Sequence, residues 1–311
     1  TLISNTFGGG TINAERAFLT GDVYLPKFKK NTNSYIWYFN DQGYYTEASH
    51  PIYGWFYNRR NINKYLGFNN FYYYENYYSQ KNQNFFNDQD YFNDIIINYE
   101  KRINSQKPYF HFGVTYQNHG PYSQKEPLVE WVSNIDKKVS KDIGYNIVNN
   151  YLNGIYDTNE QLYQLVEYFE KQTEPTILIF FGDHRPFLGP NNEGYNYLNI
   201  DVEVSNLEGF LNYYEVPYLI YGNTVAKDVF NKSFVGEVKT ISPNYLMNEL
   251  FEYLGWKGNI YNQKISEFKN KLPVLNNNYY KYKNNWVNNK NDEINKIYND
   301  YLNVNYHYIY K

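Results

Sequence analysis

Thr176-Ile177-Leu178-Ile179-Phe180-Phe181-Gly182-Asp183-His184 is the stretch on which the fold reading turns. Its first six residues are almost unbroken apolar, β-branched and aromatic, the composition of a strand covered on both faces, as in a parallel sheet. Before it, residues 143–170 carry Ile155, Leu162, Leu165, Val166 and Phe169 at helical spacing. A long helix followed by a buried strand is the βαβ alternation of an α/β fold, in which sites lie at the carboxyl ends of strands. Asp183 and His184 stand at such an end. A carboxylate and an imidazole side by side suit a borderline divalent cation such as Mn²⁺ or Zn²⁺. Taken alone, such a dipeptide is more often a capped turn than a metal site.

Upstream, Gly8-Gly9-Gly10-Thr11 leads into Ile12-Asn13-Ala14-Glu15-Arg16-Ala17-Phe18-Leu19-Thr20-Gly21. The spacing of Ala14, Ala17 and Phe18 predicts a short helix, with Gly21 as its C-terminal cap. Thr11 then sits at a helix N-terminus, where backbone N–H groups and the helix dipole favour an anion. A Thr hydroxyl there can be an N-cap. It can also be a nucleophile, provided a neighbouring base or a metal activates it. His119, after the strand predicted at 108–116, and His184 are both strand-end histidines, which suggests a shared site.

The remaining pattern predicts loops and short helices covering one face of a sheet at 35–78, a strand at 216–221, and helices at 242–255 and 292–301. No repeat or boundary divides the chain, so one domain is expected over 1–311, with 276–311 an Asn-rich segment ending in a helix. The 29 Lys and Arg against 32 Asp and Glu leave a net charge of -3, which gives nucleic acid no global field to follow. Zero Cys excludes disulfides, thiolate metal sites and cysteine nucleophiles. The 40 Tyr, 21 Phe and 5 Trp fit either a glycan-binding surface or the codon drift of an AT-rich genome. Because the enrichment runs through linkers too, drift is the better account. No apolar run spans a bilayer. The chain opens at Thr1 with Met247 its single Met, so an upstream export signal or anchor is expected.

Gly9-Gly10-Thr11, Leu19-Thr20-Gly21, Phe56-Tyr57-Asn58-Arg59, Asn118-His119-Gly120-Pro121-Tyr122, Tyr156-Asp157-Thr158, Gly182-Asp183-His184, Val216-Pro217-Tyr218, Ile241-Ser242-Pro243 and Leu272-Pro273-Val274 occur in that order. The ordered set resembles the lipoteichoic acid synthase-like branch of the sulfatase and alkaline phosphatase superfamily. The resemblance implies an α/β three-layer αβα sandwich with a mostly parallel central sheet. It implies Thr11 as the nucleophile that takes a phosphoglycerol group, with Thr11, Asp183 and His184 as ligands of one divalent ion, Mn²⁺ first, Zn²⁺ or Mg²⁺ in its place. Arg59 and His119 match positions that contact phosphate or glycerol, and His50 matches another pocket position. Tyr57 stands where these synthases have Trp, a departure that bears on the head group.

The same resemblance implies a phosphatidylglycerol-like phospholipid donor and a glycan or teichoic acid acceptor. Its setting would be the extracytoplasmic face of the cell membrane, reached through an anchor upstream of Thr1. A formylglycine sulfatase is unlike this chain, which has Thr11 where such enzymes need a matured Cys or Ser. The family's acidic metal ligand before the Gly-Gly-Thr turn has no counterpart in the residues given. Two alternatives stay open on the residues: a metal-dependent phosphodiesterase or phosphatase, and a catalytically silent glycan-binding surface protein.

Overall fold

In chain order the elements begin with β1 (Leu2–Ile3), α1 (Thr11–Thr20), α2 (Tyr35–Asp41), β2 (Tyr45–Ser49), α3 (Arg59–Leu66), β3 (Asn70–Tyr72), α4 (Asp88–Ile103) and β4 (Tyr109–Gly113). They continue with α5 (Ile143–Glu170), β5 (Ile177–Phe181), α6 (Glu193–Tyr197), α7 (Leu207–Tyr214), β6 (Glu215–Val216), β7 (Tyr218–Gly222) and α8 (Thr224–Phe230). Last come α9 (Leu246–Leu254), α10 (Ile260–Lys271), β8 (Val274–Leu275), β9 (Tyr280–Tyr282), β10 (Asn285–Val287) and α11 (Asp292–Asn305). This computed structural model describes residues 1–24, 28–132 and 142–310. The chain divides into two compact units, one of residues 1–38, 171–185 and 201–311, the other of 39–170 and 186–200.

In the first unit the segment 215–222 carries two ladders. β1 pairs with β6 antiparallel, Leu2 opposite Val216 and Ile3 opposite Glu215. β5 pairs with β7 antiparallel, from Ile177 opposite Gly222 to Phe181 opposite Tyr218. Between them Pro217 has no N–H to give, and its carbonyl accepts from Gly182 N at 3.0 Å. β1 and β5 both oppose the same segment, so they run parallel to each other. The residues that follow them, 4–10 and 182–185, therefore emerge at one end.

The sequence predicts β5 as a strand of a parallel sheet, whereas its hydrogen-bonded partner β7 is antiparallel and its residues are only half-buried. An apolar run reports cover on both faces and carries no information on partner direction. The parallel sheet lies in the second unit, in the order β3-β2-β4, with Glu47 opposite Asn70 and His111. Two of its strands, β2 and β3, fall inside the stretch expected to be loops and short helices. β2 escapes an apolar-pattern reading because it carries Thr46, Glu47 and Ser49, all buried. Glu47 accepts from Arg102 Nη2 at 2.7 Å, Tyr109 Oη at 2.8 Å and Tyr72 Oη at 3.1 Å, which satisfies a carboxylate withdrawn from water. Nearby His111 is held between Tyr109 Oη and Ser49 Oγ, and burial pushes its pKa down to about 4.

The helices α1, α5 and α11 lie where the pattern places them. The Asn-rich segment 276–311 adds the antiparallel pair β9 and β10 before α11. Fully buried Tyr301 of α11 donates to Gly21 O at 2.9 Å and accepts from Val23 N at 3.0 Å. Tyr261 of α10 donates to Thr20 O at 2.9 Å. Asn305 Nδ2 donates to Asp22 Oδ1 at 3.1 Å. The carboxy-terminal end of α1 is thus tied to helices distant in sequence through phenol and amide groups.

Asp22 is the costly member of this network. It is 2% exposed, and burial raises its pKa to about 6 against the smaller opposing effect of hydrogen bonds from Tyr24 N and Asn305. A carboxyl that holds its proton more tightly when folded makes stability fall as pH rises from about 4 to about 6. Asp22→Asn keeps an acceptor for Asn305 and Tyr24 while removing the buried charge. Urea denaturation across pH 4–7 should show that falling slope diminished in the variant, with a gain of roughly 2–3 kcal/mol at pH 7. An unchanged slope and no gain would contradict the assignment.

Candidate active site

Three consecutive residues with positive φ, Gly8 at 65°, Gly9 at 156° and Gly10 at 79°, swing the chain from β1 into α1. Side chains rarely adopt such a backbone, and Gly10 has a second constraint: a Cβ on it would lie 2.8 Å from Thr6 Oγ1. Gly10 is the N-cap, without a side-chain cap, and Thr11 is the first helical residue. The Thr11 hydroxyl is therefore not the cap of its own helix. No acidic side chain lies in the first turn, so the positive end of the helix dipole is not offset locally. Glu15 is a buried residue further along α1.

Hydrogen bonds fix this turn against the segment that follows β5. Ser4 Oγ donates to Asp183 O at 2.5 Å, and Gly8 N donates to Arg185 O at 3.0 Å. Thr6 Oγ1 donates to Gly9 O at 2.5 Å, bracing the turn from within. Further along, the Phe18 and Phe181 rings meet with centroids 5.1 Å apart, holding α1 against β5. The structure thereby brings the Gly-rich turn, at whose end Thr11 stands, together with Asp183 and His184.

At Asp183 and His184 the hydrogen bonds constrain the tautomer. His184 Nδ1 lies 2.8 Å from Arg185 O, and a carbonyl only accepts, so the proton is on Nδ1. His184 N donates to Asp183 Oδ1 at 2.9 Å, leaving Oδ2 3.2 Å from His184 Nε2. In the neutral imidazole, two lone-pair atoms face each other at that distance. A proton held between the two atoms, or a cation, removes that repulsion. A histidine that donates its other N–H to a backbone carbonyl is a common arrangement for a metal ligand, so the donors fit a divalent ion. Among the described residues no group of three or more His, Asp or Glu could hold a metal.

The other four expected site residues lie in the second unit. Arg59 opens α3, is 2% exposed, and holds its guanidinium 5.0 Å from the Tyr57 ring centroid. Tyr57 and Asn58 have φ of 52° and 55°, a left-handed pair outside glycine. His50 Nδ1 donates to Val114 O at 2.8 Å. His119 Nδ1 donates to Gly120 O at 2.6 Å. Tyr116 links the two imidazoles: its ring stacks on His119 at 5.0 Å and meets His50 edge-on at 6.5 Å.

Sequence reasoning assigns no role to the residues that set the His119 loop. Asn118 Nδ2 donates to Thr158 Oγ1 at 2.7 Å, and Thr158 Oγ1 donates to Asp88 Oδ2 at 2.5 Å. Gln117 Oε1 accepts from Asp88 N at 2.9 Å. A Cβ on Gly154, inside α5, would fall 2.1 Å from Asn118 Oδ1, so the loop approaches the helix where a side chain is missing. A glycine in the interior of a long helix is the signal that marks this contact.

The sulfatase family model matches residues 1–256, and the chain belongs to that family. A protein of Rhizobium meliloti (strain 1021) named for cyclic β-1,2-glucan modification is 26% identical over 289 residues, which cover 88% of this chain and 43% of that protein. The chain thus spans less than half the length of this relative. Among solved structures, the phosphoglycerol transferase GacH of Streptococcus pyogenes, in complex with sn-glycerol-1-phosphate, superposes with a TM-score of 0.67 at 20% identity, covering 99% of this chain and 75% of that one. The lipoteichoic acid synthase LtaP of Listeria monocytogenes gives 0.59 at 15% identity, covering 82% and 62%. The fold is of the alkaline phosphatase and sulfatase type.

The Gly-rich turn makes a specific stability claim. Gly10→Ala should destabilise by more than the roughly 1–2 kcal/mol of left-handed strain, because the new Cβ also meets Thr6. Gly255→Ala, at a φ of 76° with nothing within 4 Å, carries the strain alone. Urea midpoints of the two variants should differ, Gly10→Ala being the less stable; equal midpoints would mean that the turn does not need its close approach.

Proposed function

We propose that this sulfatase-family chain transfers a phosphoglycerol-type group from a phospholipid to a cell-surface glycan through a phospho-threonine at Thr11. The observation that carries the reading is the pair of hydrogen bonds holding the Gly-rich turn against residues 183–185. Thr11 Oγ1 attacks the phosphorus of the donor, forming a P–O bond as the bond to diacylglycerol breaks, and the leaving oxygen takes a proton. The backbone N–H groups at the helix N-terminus favour the phosphoryl oxygens. An acceptor hydroxyl then displaces Thr11, which regains its proton.

Asp183 and His184, with Thr11, would hold one divalent cation, Mn²⁺ first. When bound, such a cation promotes loss of the hydroxyl proton and offsets charge on the phosphoryl group. In the second unit, the forked guanidinium of Arg59 matches phosphate oxygens, and His119 and His50 supply imidazoles suited to the phosphate or glycerol. Tyr57 shapes the selection of the head group. A glucan-type acceptor accords with the name of the Rhizobium relative, and a setting outside the cytoplasm at a membrane accords with a phospholipid donor. Among the described residues no helix is long and apolar enough to cross a membrane.

Incubation with phosphatidylglycerol and Mn²⁺, followed by peptide mass spectrometry, should show a phosphoglycerol adduct on Thr11. Thr11→Ala should lose the adduct and at least about a thousandfold of turnover. Asp183→Asn and His184→Gln should weaken Mn²⁺ binding by about tenfold or more in an EPR titration. An adduct-free Thr11 with full turnover in Thr11→Ala would overturn the reading, and release of glycerol phosphate undiminished by omitting the glycan would mark a hydrolase.

A further inference from the structure

We propose that the aromatic and basic surface of residues 53–64 docks on an anionic phospholipid bilayer. Tyr53, Trp55, Phe56 and Tyr57 are 46%, 58%, 36% and 39% exposed, an unusual concentration of rings for a surface loop. The rings form one continuous row: Tyr53 and Trp55 lie near-parallel with centroids 5.7 Å apart, Trp55 meets Phe56 at 6.0 Å, and Phe56 meets Tyr57 at 4.4 Å. They touch one another yet stay in solvent.

The loop that presents them is fixed. Gly54 N donates to Glu75 Oε2 at 2.8 Å, Arg60 N to Gly54 O at 2.9 Å, and Asn58 N to Trp55 O at 2.8 Å. A Cβ on Gly54 would come within 2.6 Å of the Tyr73 ring, so the backbone is seated closely on that ring. The left-handed Tyr57 and Asn58 then turn the chain into α3. Such strain persists only where the surroundings enforce it.

On α3, Arg60 and Lys64 are exposed and one helical turn apart. Like charges at that spacing repel, and among the described residues neither forms a salt bridge. The chain as a whole carries a net charge of -3, so any attraction to an anionic surface is local. A row of exposed Trp, Tyr and Phe followed on the next helix by two exposed cations matches the interfacial zone of an anionic bilayer, where aromatic rings sit at headgroup depth and Lys and Arg meet lipid phosphates. A neutral glycan would cover the rings and leave both cations without counter-charge. The inference rests on the phospholipid-donor reading and adds where the lipid surface is met.

The test is sedimentation of the chain with phosphatidylglycerol-containing vesicles and with phosphatidylcholine vesicles, at low and high salt. Binding to the first, weakened by salt and absent from the second, supports the proposal. Arg60→Gln/Lys64→Gln should bind about 30-fold more weakly and Trp55→Ala about tenfold, with unchanged melting temperatures. The double variant should keep its turnover of a monomeric short-chain donor. Parent-like binding by the variants overturns the proposal. So does turnover of the short-chain donor with no vesicle binding, which leaves the transferase reading intact. Quenching of tryptophan fluorescence by a soluble glucan that is lost in Trp55→Ala, in place of vesicle binding, also overturns it. Vesicle binding without turnover of any donor supports docking and sinks the transferase reading alone.

Discussion

The candidate chemistry of the first unit depends on a short seam of backbone polarity, in which the Ser4 hydroxyl and the Gly8 amide both bond to carbonyls of residues 183–185. β1 and β5 deliver these two segments to the same end because each runs antiparallel to the one segment 215–222. The seam then requires a turn tight enough to enter a helix within three residues. That requirement explains three successive positive-φ glycines where any side chain would be strained. Thr11 is placed by this geometry, as the first residue of a helix whose cap has no side chain to compete with it.

A helix that presents a reactive group must be held at both ends. The far end of α1 is held by Tyr261, Tyr301 and Asn305, whose phenols and amide reach Thr20, Gly21 and Asp22. Here the unusual composition acquires a structural meaning. Tyrosine brings a large apolar body and a hydroxyl that must find a partner when buried; the exposed carbonyls at a helix end supply that partner. Asn244, Asn248 and Asn262, all buried, extend the pattern between helices. The cost falls on Asp22, whose raised pKa records a carboxyl kept from water.

How much of this was legible in the sequence varied with the kind of signal. Helix α5 was readable from 3.6-residue spacing and α1 from its glycine punctuation, because local geometry writes itself into local pattern. Asp183 and His184 were readable as the end of an apolar run. The direction of β5 was not, because pairing depends on a segment nearly forty residues away, and neither were β2 and β3, whose polar residues satisfy one another only across the sheet. The roles of Gly154, Thr158 and Asp88 in seating the His119 loop were likewise hidden: they are contacts across the fold, announced in the sequence only by a glycine inside a helix.

The central claim is that Thr11 joins Asp183 and His184 around one cation. Anomalous diffraction at the manganese edge, from crystals grown with Mn²⁺, tests it most directly. The account predicts one peak within about 2.0–2.3 Å of Thr11 Oγ1, Asp183 Oδ2 and His184 Nε2, as expected for nitrogen and oxygen ligands. A peak that leaves Thr11 outside the coordination sphere, or none at saturating Mn²⁺, would contradict it.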